Sequence, residues 1–313
     1  MEQKVIITQS MMKEYQEYHL GNACGLVFVE KYINKRYDLF PPSDSMQVGN
    51  WFEYQCLGAT TKSDLIPQPE KTKSGELTAP YKRMQSHINN FKLFMTQYGI
   101  EIVSVQEKLK VGETIIEIED KNTGEIVPFN IDGLEGTTDA ICRATKDIYG
   151  FYDTKDEGNK RVIKTDESVI IKAGEKFIMD VKTSGLLSDK FSDFGWHLDY
   201  LSGKEKIIRQ PIHYKYVSEL IYGKQYPFLF LLFSQTNEYD FRSILFNIDE
   251  DQHIKEHKER IVWTNKWIKY HLKKGFKANP DVVRCHDCPL KVGCKHFAAV
   301  PKIQIFYYQP QTT

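Results

Sequence analysis

Lys176-Phe-Ile-Met-Asp-Val-Lys-Thr183, followed by Ser184-Gly185, sets an apolar run directly against an acid, a base and a turn. Phe177-Ile-Met reads as the lead-in of a buried strand. On a strand, Asp180 and Lys182 are two apart and leave the same face. The spacing alone is common, since Glu2/Lys4, Glu119/Lys121, Asp153/Lys155 and Glu256/Lys258 share it. Such a pair usually reads as a solvated face. Charge at the end of an apolar strand is different, because burying it needs a compensating partner.

Forty-one residues upstream of Asp180, the segment Leu134-Glu-Gly-Thr-Thr-Asp139-Ala supplies a second carboxylate. If Asp139 sits at the end of a neighbouring strand, two carboxylates and an ammonium converge. Hard oxygen donors of this kind suit Mg²⁺ or Mn²⁺. Such a cation polarises a phosphodiester and acidifies a bound water, which the amine orients or deprotonates.

Outward from these segments the pattern alternates. Interrupted helical segments are expected over 10–35, and helices over 45–57 and 81–98. Short strands follow at 100–105, 113–118, 126–131 and 140–143, with a charged hairpin insertion over 150–174. A helix over 210–222, strands at 226–234 and 242–247 and a long helix over 249–274 complete the order. Helices flanking a central set of strands indicate one α/β core with a mixed sheet. A single domain over 1–313 is expected, with an N-terminal helical region 1–99, a core 100–248 and a C-terminal region 249–313. Lys plus Arg equals Asp plus Glu at 42 each, so a polyanionic partner would need a local patch rather than a global field. No collagen-like or strongly disordered composition is present. The apolar run Pro227–Phe233 is far shorter than the roughly 20 residues of a membrane-spanning helix. No signal peptide is visible, so a reducing, cytoplasmic location is expected, that of the host if the chain is phage-encoded.

Three motifs in order resemble the PD-(D/E)XK nuclease superfamily, in particular the RecB/AddB-like and CRISPR-associated exonucleases. Gly136-Thr-Thr-Asp139 is similar to their Gly-x-x-Asp, Asp180-Val-Lys182 to their Asp-x-Lys, and Gln210-Pro-Ile-His-Tyr214 to their Gln-x-x-x-Tyr. Upstream, Gly49-Asn-Trp-Phe-Glu53 stands where the family commonly has Gly-x-x-x-His. The resemblance implies a restriction-endonuclease-like core whose Asp139, Asp180, Lys182, Gln210 and Tyr214 are catalytic. It implies a Mg²⁺ or Mn²⁺ site at Glu53, Asp139, Asp180 and the Val181 carbonyl. It also implies exonuclease action on DNA with a free or single-stranded end, in recombination, repair or CRISPR adaptation, beside a helicase, recombination or CRISPR partner.

Val283-Arg-Cys285-His-Asp-Cys288-Pro-Leu-Lys-Val-Gly-Cys294 packs three thiols into ten residues. Thiolates select zinc or iron–sulfur. The spacing resembles the C-terminal iron–sulfur staple of the same nucleases, which takes its fourth cysteine from near the N-terminus. Cys24 is the matching position, with Gly25 where the family usually has proline; Cys56 is its rival, and Cys142 reads as a core thiol. The resemblance implies a structural [4Fe–4S] cluster joining N- and C-terminal segments, while His286 and His296 keep zinc open as the alternative. Residues 251–300 carry 11 Lys or Arg against five Asp or Glu, and Lys266, Lys269, Lys273, Lys274 and Lys277 read as a phosphate-tracking stripe or as a solvated helix face. Two further functional classes stand beside the nuclease: a non-catalytic DNA-binding or assembly subunit that keeps the fold, and a zinc-stapled structural protein.

Overall fold

Phe177 through Val181 are all buried because their strand is covered on both edges and both faces. In the computed structural model, β12 (Lys176–Ser184) is the middle strand of a five-stranded sheet. The order is β16 (Phe241–Leu245), β15 (Phe228–Ser234), β12, β7 (Ala140–Ala144), β2 (Ile100–Val105). Only β12 and β15 run parallel, in register from Ile178↔Phe228 to Ser184↔Ser234. The other pairings are antiparallel, which makes the sheet mixed. A parallel pair needs a crossover connection, and α5 (Lys204–Tyr222) lies within it. The structure describes residues 4–59, 67–150, 153–155, 161–163, 168–185, 187, 191–192, 195–196, 204–245 and 250–297.

One face of the sheet carries the apolar core. α3 (Asp44–Leu57) and α4 (Ala79–Tyr98) bury Trp51, Phe52, Met84 and Phe91 against Phe177, Met179 and Val181 of β12 and Leu229, Leu231 and Phe233 of β15. These β12 residues are the odd-numbered ones, so Asp180 and Lys182 face the other way. Both helices stop at a left-handed glycine, Gly58 at φ 76° and Gly99 at φ 62°, a conformation that costs glycine nothing.

A second sheet, ordered β1 (Ile7–Thr8), β6 (Leu134–Thr137), β3 (Lys108–Val111), leads through Thr138-Asp139 into β7. Two-stranded pairs are formed by β4 (Thr114–Glu119) with β5 (Ile126–Ile131), and by β8 (Ile148–Gly150) with β11 (Ser168–Ile171). β9 (Asp153–Lys155) pairs with β10 (Arg161–Ile163), and β13 (Phe191–Ser192) with β14 (Gly195–Trp196). The expected insertion over 150–174 therefore contains paired strands. Of its basic residues, Lys160 and Lys164 lie outside the described residues, as do the side chains of Lys155 and Arg161. β3 and β6 were not expected from the sequence. α5 begins six residues before Gln210 and continues through Pro211, where the expected helix only starts.

The chain divides into two compact units, each described by itself. The larger comprises Met1–Gln9 and Pro42–Val262 and contains both sheets. The smaller comprises Ser10–Pro41 and Trp263–Thr313. It holds most of α1 (Gln9–His19), then α2 (Gly25–Phe28), a π-helical turn at Val29–Ile33, the end of α6 (Glu250–Lys274) and α7 (Val282–His286). Its centre is aromatic: Tyr15 meets Phe28 and Trp263 edge-on, each at 5.5 Å, and its hydroxyl is 2.8 Å from His271 Nδ1. Among the described residues no helix is long and apolar enough to cross a membrane.

Candidate functional site

The site begins where β7 ends. The β7–β12 ladder stops at Ala140↔Met179, so β12 continues from Asp180 with β15 as its neighbour and no β7 residue opposite. A backbone donor left over at such a step needs an acceptor. Asp139, the residue just before β7, provides it: its Oδ2 accepts from Val181 N at 2.9 Å. Sequence order thus fixes the two acids side by side, Asp139 at the start of one strand and Asp180 on the next.

Asp180 is 2% exposed, so its charge must be met locally. Lys182 Nζ lies 3.0 Å from Oδ1 and 2.8 Å from Oδ2, as the two-residue strand spacing allows. Gln210 Nε2 donates to Oδ1 at 2.6 Å from α5. Burial pushes the Lys182 ammonium down, but Asp180 and then Asp139 outweigh it, and the net shift is upward. Lys182 is therefore held as a cation.

Tyr214, four residues after Gln210 and on the same helix face, donates from its hydroxyl to Thr137 O at 2.5 Å and stacks on Phe228. Burial first, and Asp180 second, push its phenol up, so it stays protonated. The glycine of Gly136-Thr-Thr-Asp139 is explained by this ring: a Cβ on Gly136 would fall 2.7 Å from Tyr214 Cε1. Gly49 has a similar role on the other face, where a Cβ would fall 2.9 Å from Thr183 Oγ1, so α3 rests closely on β12.

Glu53, one turn beyond Gly49, is 2% exposed. It comes from the helix on the odd-numbered face of β12, opposite the Asp180–Lys182 side. Its Oε1 accepts from Gln106 Nε2 at 2.7 Å, and Gln106 N donates to Asp139 O at 3.0 Å. The structure thus brings Asp139, Asp180, Lys182 and Gln210 together, seats Tyr214 beneath them, and connects Glu53 through Gln106. Val181, between Asp180 and Lys182, pairs with Leu231 in the β12–β15 ladder. Sequence reading missed Gln106, a polar residue in a strand–strand turn with no motif around it. Among the described residues, no three His, Cys, Asp or Glu side chains already stand at cation-holding distance.

In the smaller unit, Cys24 is the residue before α2, and Cys285, Cys288 and Cys294 occupy α7 and the turns after it. Burial first, then Leu290's backbone in the opposite sense and the thiols of Cys24, Cys285 and Cys294, set the balance at Cys288, which is pushed up. Gly25 N donates to Lys277 O at 3.2 Å, and a Cβ at Gly25 would fall 2.5 Å from that oxygen. Proline there would lose the donor and clash, which accounts for glycine after Cys24. Cys56 and Cys142 lie in the larger unit. Burial pushes Cys56 well up, against a lowering from Lys92, and pushes Cys142 up to about 12. Lys266, Lys273, Lys274 and Lys277 are exposed and Lys269 is half-buried, along and just past the end of α6.

The sequence matches no protein-family profile and no curated protein. Among solved structures, a candidate exonuclease from Eubacterium rectale is 19% identical, with 86% of this chain and 82% of that chain covered at a TM-score of 0.49. The protein SSO0001 is 11% identical over 68% of each chain at a TM-score of 0.25. Both scores are low, and the case for chemistry rests on the side chains described above.

Proposed function

We propose that this chain is a Mg²⁺- or Mn²⁺-dependent deoxyribonuclease of PD-(D/E)XK type that hydrolyses phosphodiester bonds from DNA ends. The observation that carries the reading is the buried Asp180 carboxylate, flanked by Asp139 at the ladder step and bound by both Lys182 and Gln210. A purely structural strand would have little reason to bury two carboxylates there, since unpaired buried charge is costly. The donor chemistry suits a hard divalent cation, which Asp139 and Asp180 would hold, with Glu53 and the Val181 carbonyl as the further ligands proposed. When bound, the cation supplies charge neutralisation and a more acidic water.

The chain's own groups do the rest. Lys182, held cationic, orients the attacking water or a phosphate oxygen by donating hydrogen bonds. Gln210 keeps the Asp180 carboxylate from rotating, and Tyr214 fixes the Thr137–Asp139 turn on which the second acid stands. The water oxygen bonds to phosphorus and gives its proton to solvent, while the P–O ester bond breaks and the leaving oxygen takes a proton from solvent. The exposed lysines at the end of α6 are proposed to contact DNA phosphates. The order of the three motifs, similar to the RecB-like exonucleases, supports action from ends. Cys24, Cys285, Cys288 and Cys294 are proposed to hold a [4Fe–4S] cluster with a structural role, zinc being the alternative for the same thiolates.

The test is release of nucleotides from end-labelled linear single- and double-stranded DNA with Mg²⁺ or Mn²⁺, beside a closed circular control. The parent should degrade linear DNA, and Asp180→Asn should not. Lys182→Ala should lose roughly 10²–10⁴-fold in rate. DNA binding by Asp180→Asn should equal or exceed the parent, because a carboxylate beside a polyanion repels it. Tight DNA binding with no cleavage of any substrate in either metal would instead identify a non-catalytic binding subunit.

A further inference from the structure

We propose that Gln106 is a positioning residue that sets the Glu53 carboxylate for the cation, an inference that rests on the nuclease reading of this site. Gln106 lies in the turn between β2 and β3. It touches both halves of the site: its side-chain Nε2 donates to Glu53 Oε1 at 2.7 Å, and its backbone N donates to Asp139 O at 3.0 Å. The amide orientation follows from charge, since the oxygen would be repelled by a carboxylate. With Nε2 so committed, Oε1 is buried and finds no hydrogen-bond partner among the described residues.

The backbone pays a second cost. Gln106 has φ +54°, a left-handed conformation that side-chain-bearing residues rarely adopt and that glycine adopts freely. Strain and an unsatisfied polar atom at one residue are the pattern of a constrained functional position. The turn is anchored as well: Glu107 Oε1 accepts from Tyr222 OH at 2.6 Å, and Glu107 O accepts from Thr138 N at 3.0 Å. Gln106 is thus held at a fixed point over the ladder step. A helix approaching from the far face of the sheet gains through it a carboxylate of set orientation.

This predicts a loss of metal binding that passes through Glu53. Gln106→Gly removes both the left-handed strain and the Glu53 donor. In the metal-free thermal midpoint, strain relief and the lost donor to a buried carboxylate oppose each other, so the deciding readout is Mn²⁺ affinity, measured by calorimetry, which should fall about 10–100-fold. Gln106→Asn, which tolerates the same φ but is one methylene too short, should lose affinity likewise. In a Glu53→Ala background the Gln106→Gly change should cost no further affinity. Unchanged Mn²⁺ affinity in both Gln106 variants, with affinity abolished in Asp180→Asn, overturns the role of Gln106 and leaves the nuclease site standing. An equal loss with and without Glu53 also overturns it, because the effect would then not pass through that carboxylate. Mn²⁺ affinity indifferent to Asp180→Asn overturns the site and this proposal together.

Discussion

At Lys182 the electrostatics have a definite sign. Its folded-state pKa is raised, after burial's opposing effect, by Asp180 and Asp139. A raised basic group contributes stability that is complete below its unfolded value near 10.5 and is lost as pH climbs through the folded value. Lys182→Met should therefore destabilise the metal-free protein throughout the neutral range. The side chain is 36% exposed, so solvent screens the pair and the cost should be about 1–3 kcal/mol, between the surface and buried limits. Adding Asp180→Asn should recover most of it, as read from denaturant midpoints; a Lys182→Met protein as stable as the parent would mean the pair is not coupled. A second expectation is steric. Gly136→Ala presses a methyl into the Tyr214 ring, which should cost about 1–3 kcal/mol and be relieved in part by Tyr214→Leu, measured in the same way. Asp139, Asp180, Lys182, Gln210 and Tyr214 were legible in sequence because short motifs spell them out. Gln106 was not, because its role depends on a backbone angle and on a helix 53 residues earlier in the chain.

Elements carry a different pH signal. α5 and α6 meet at two histidines, both fully buried: His213 Nδ1 lies 3.3 Å from His257 Nε2, and His213 Nε2 lies 3.0 Å from Glu135 O. The consistent tautomers have His257 donating to His213 and His213 donating to the carbonyl, which leaves His257 Nδ1 the unpaired atom. Burial lowers His213 to about 4. His257 goes well below its usual value, by burial first and then by His213, Arg260 and Arg209. The unfolded chain takes up protons near pH 6.5 that the folded pair refuses, so stability should fall as pH drops from about 6.5 towards 4. For His213 alone the loss approaches about 3 kcal/mol. Thermal midpoints between pH 7.5 and 4.5 should show it, and His213→Gln should flatten the curve; an unchanged slope would remove this pair as its source. Periodicity revealed the helices and the long buried strands β12 and β15. β6 escaped because Leu134-Glu-Gly-Thr137 is four residues long with a glycine inside. α5 starts at Lys204, six residues before the expected helix over 210–222, and passes through Pro211.

For the whole molecule, chain order and spatial order are interleaved. The smaller unit is assembled from Ser10–Pro41 and Trp263–Thr313, with the larger unit's main stretch between them in sequence. Sequence reading linked Cys24 to the distant cysteines by resemblance, but the aromatic packing of Tyr15 with Trp263 had no sequence signal, since pairing across such separations is not periodic. Anaerobically purified protein should contain about four iron and four sulfide per chain if the four thiolates hold a cubane cluster. Cys24→Ser should lose both, whereas Cys56→Ser should keep them. Stoichiometric zinc without sulfide would assign the zinc alternative. Closing the 261-residue loop from Cys24 to Cys285 would restrict the unfolded chain by on the order of 5 kcal/mol. The interleaving also imposes a timetable on synthesis. At roughly 5–20 residues per second, the ribosome releases Cys24 on the order of 10–50 s before Cys285. Throughout that interval the first thiol has no partners, while the sheet can already begin to form around β12. If the four thiolates share a metal centre, a nascent chain stalled before Trp263 should carry a Cys24 open to alkylation, and translation of residues 263–313 should close it.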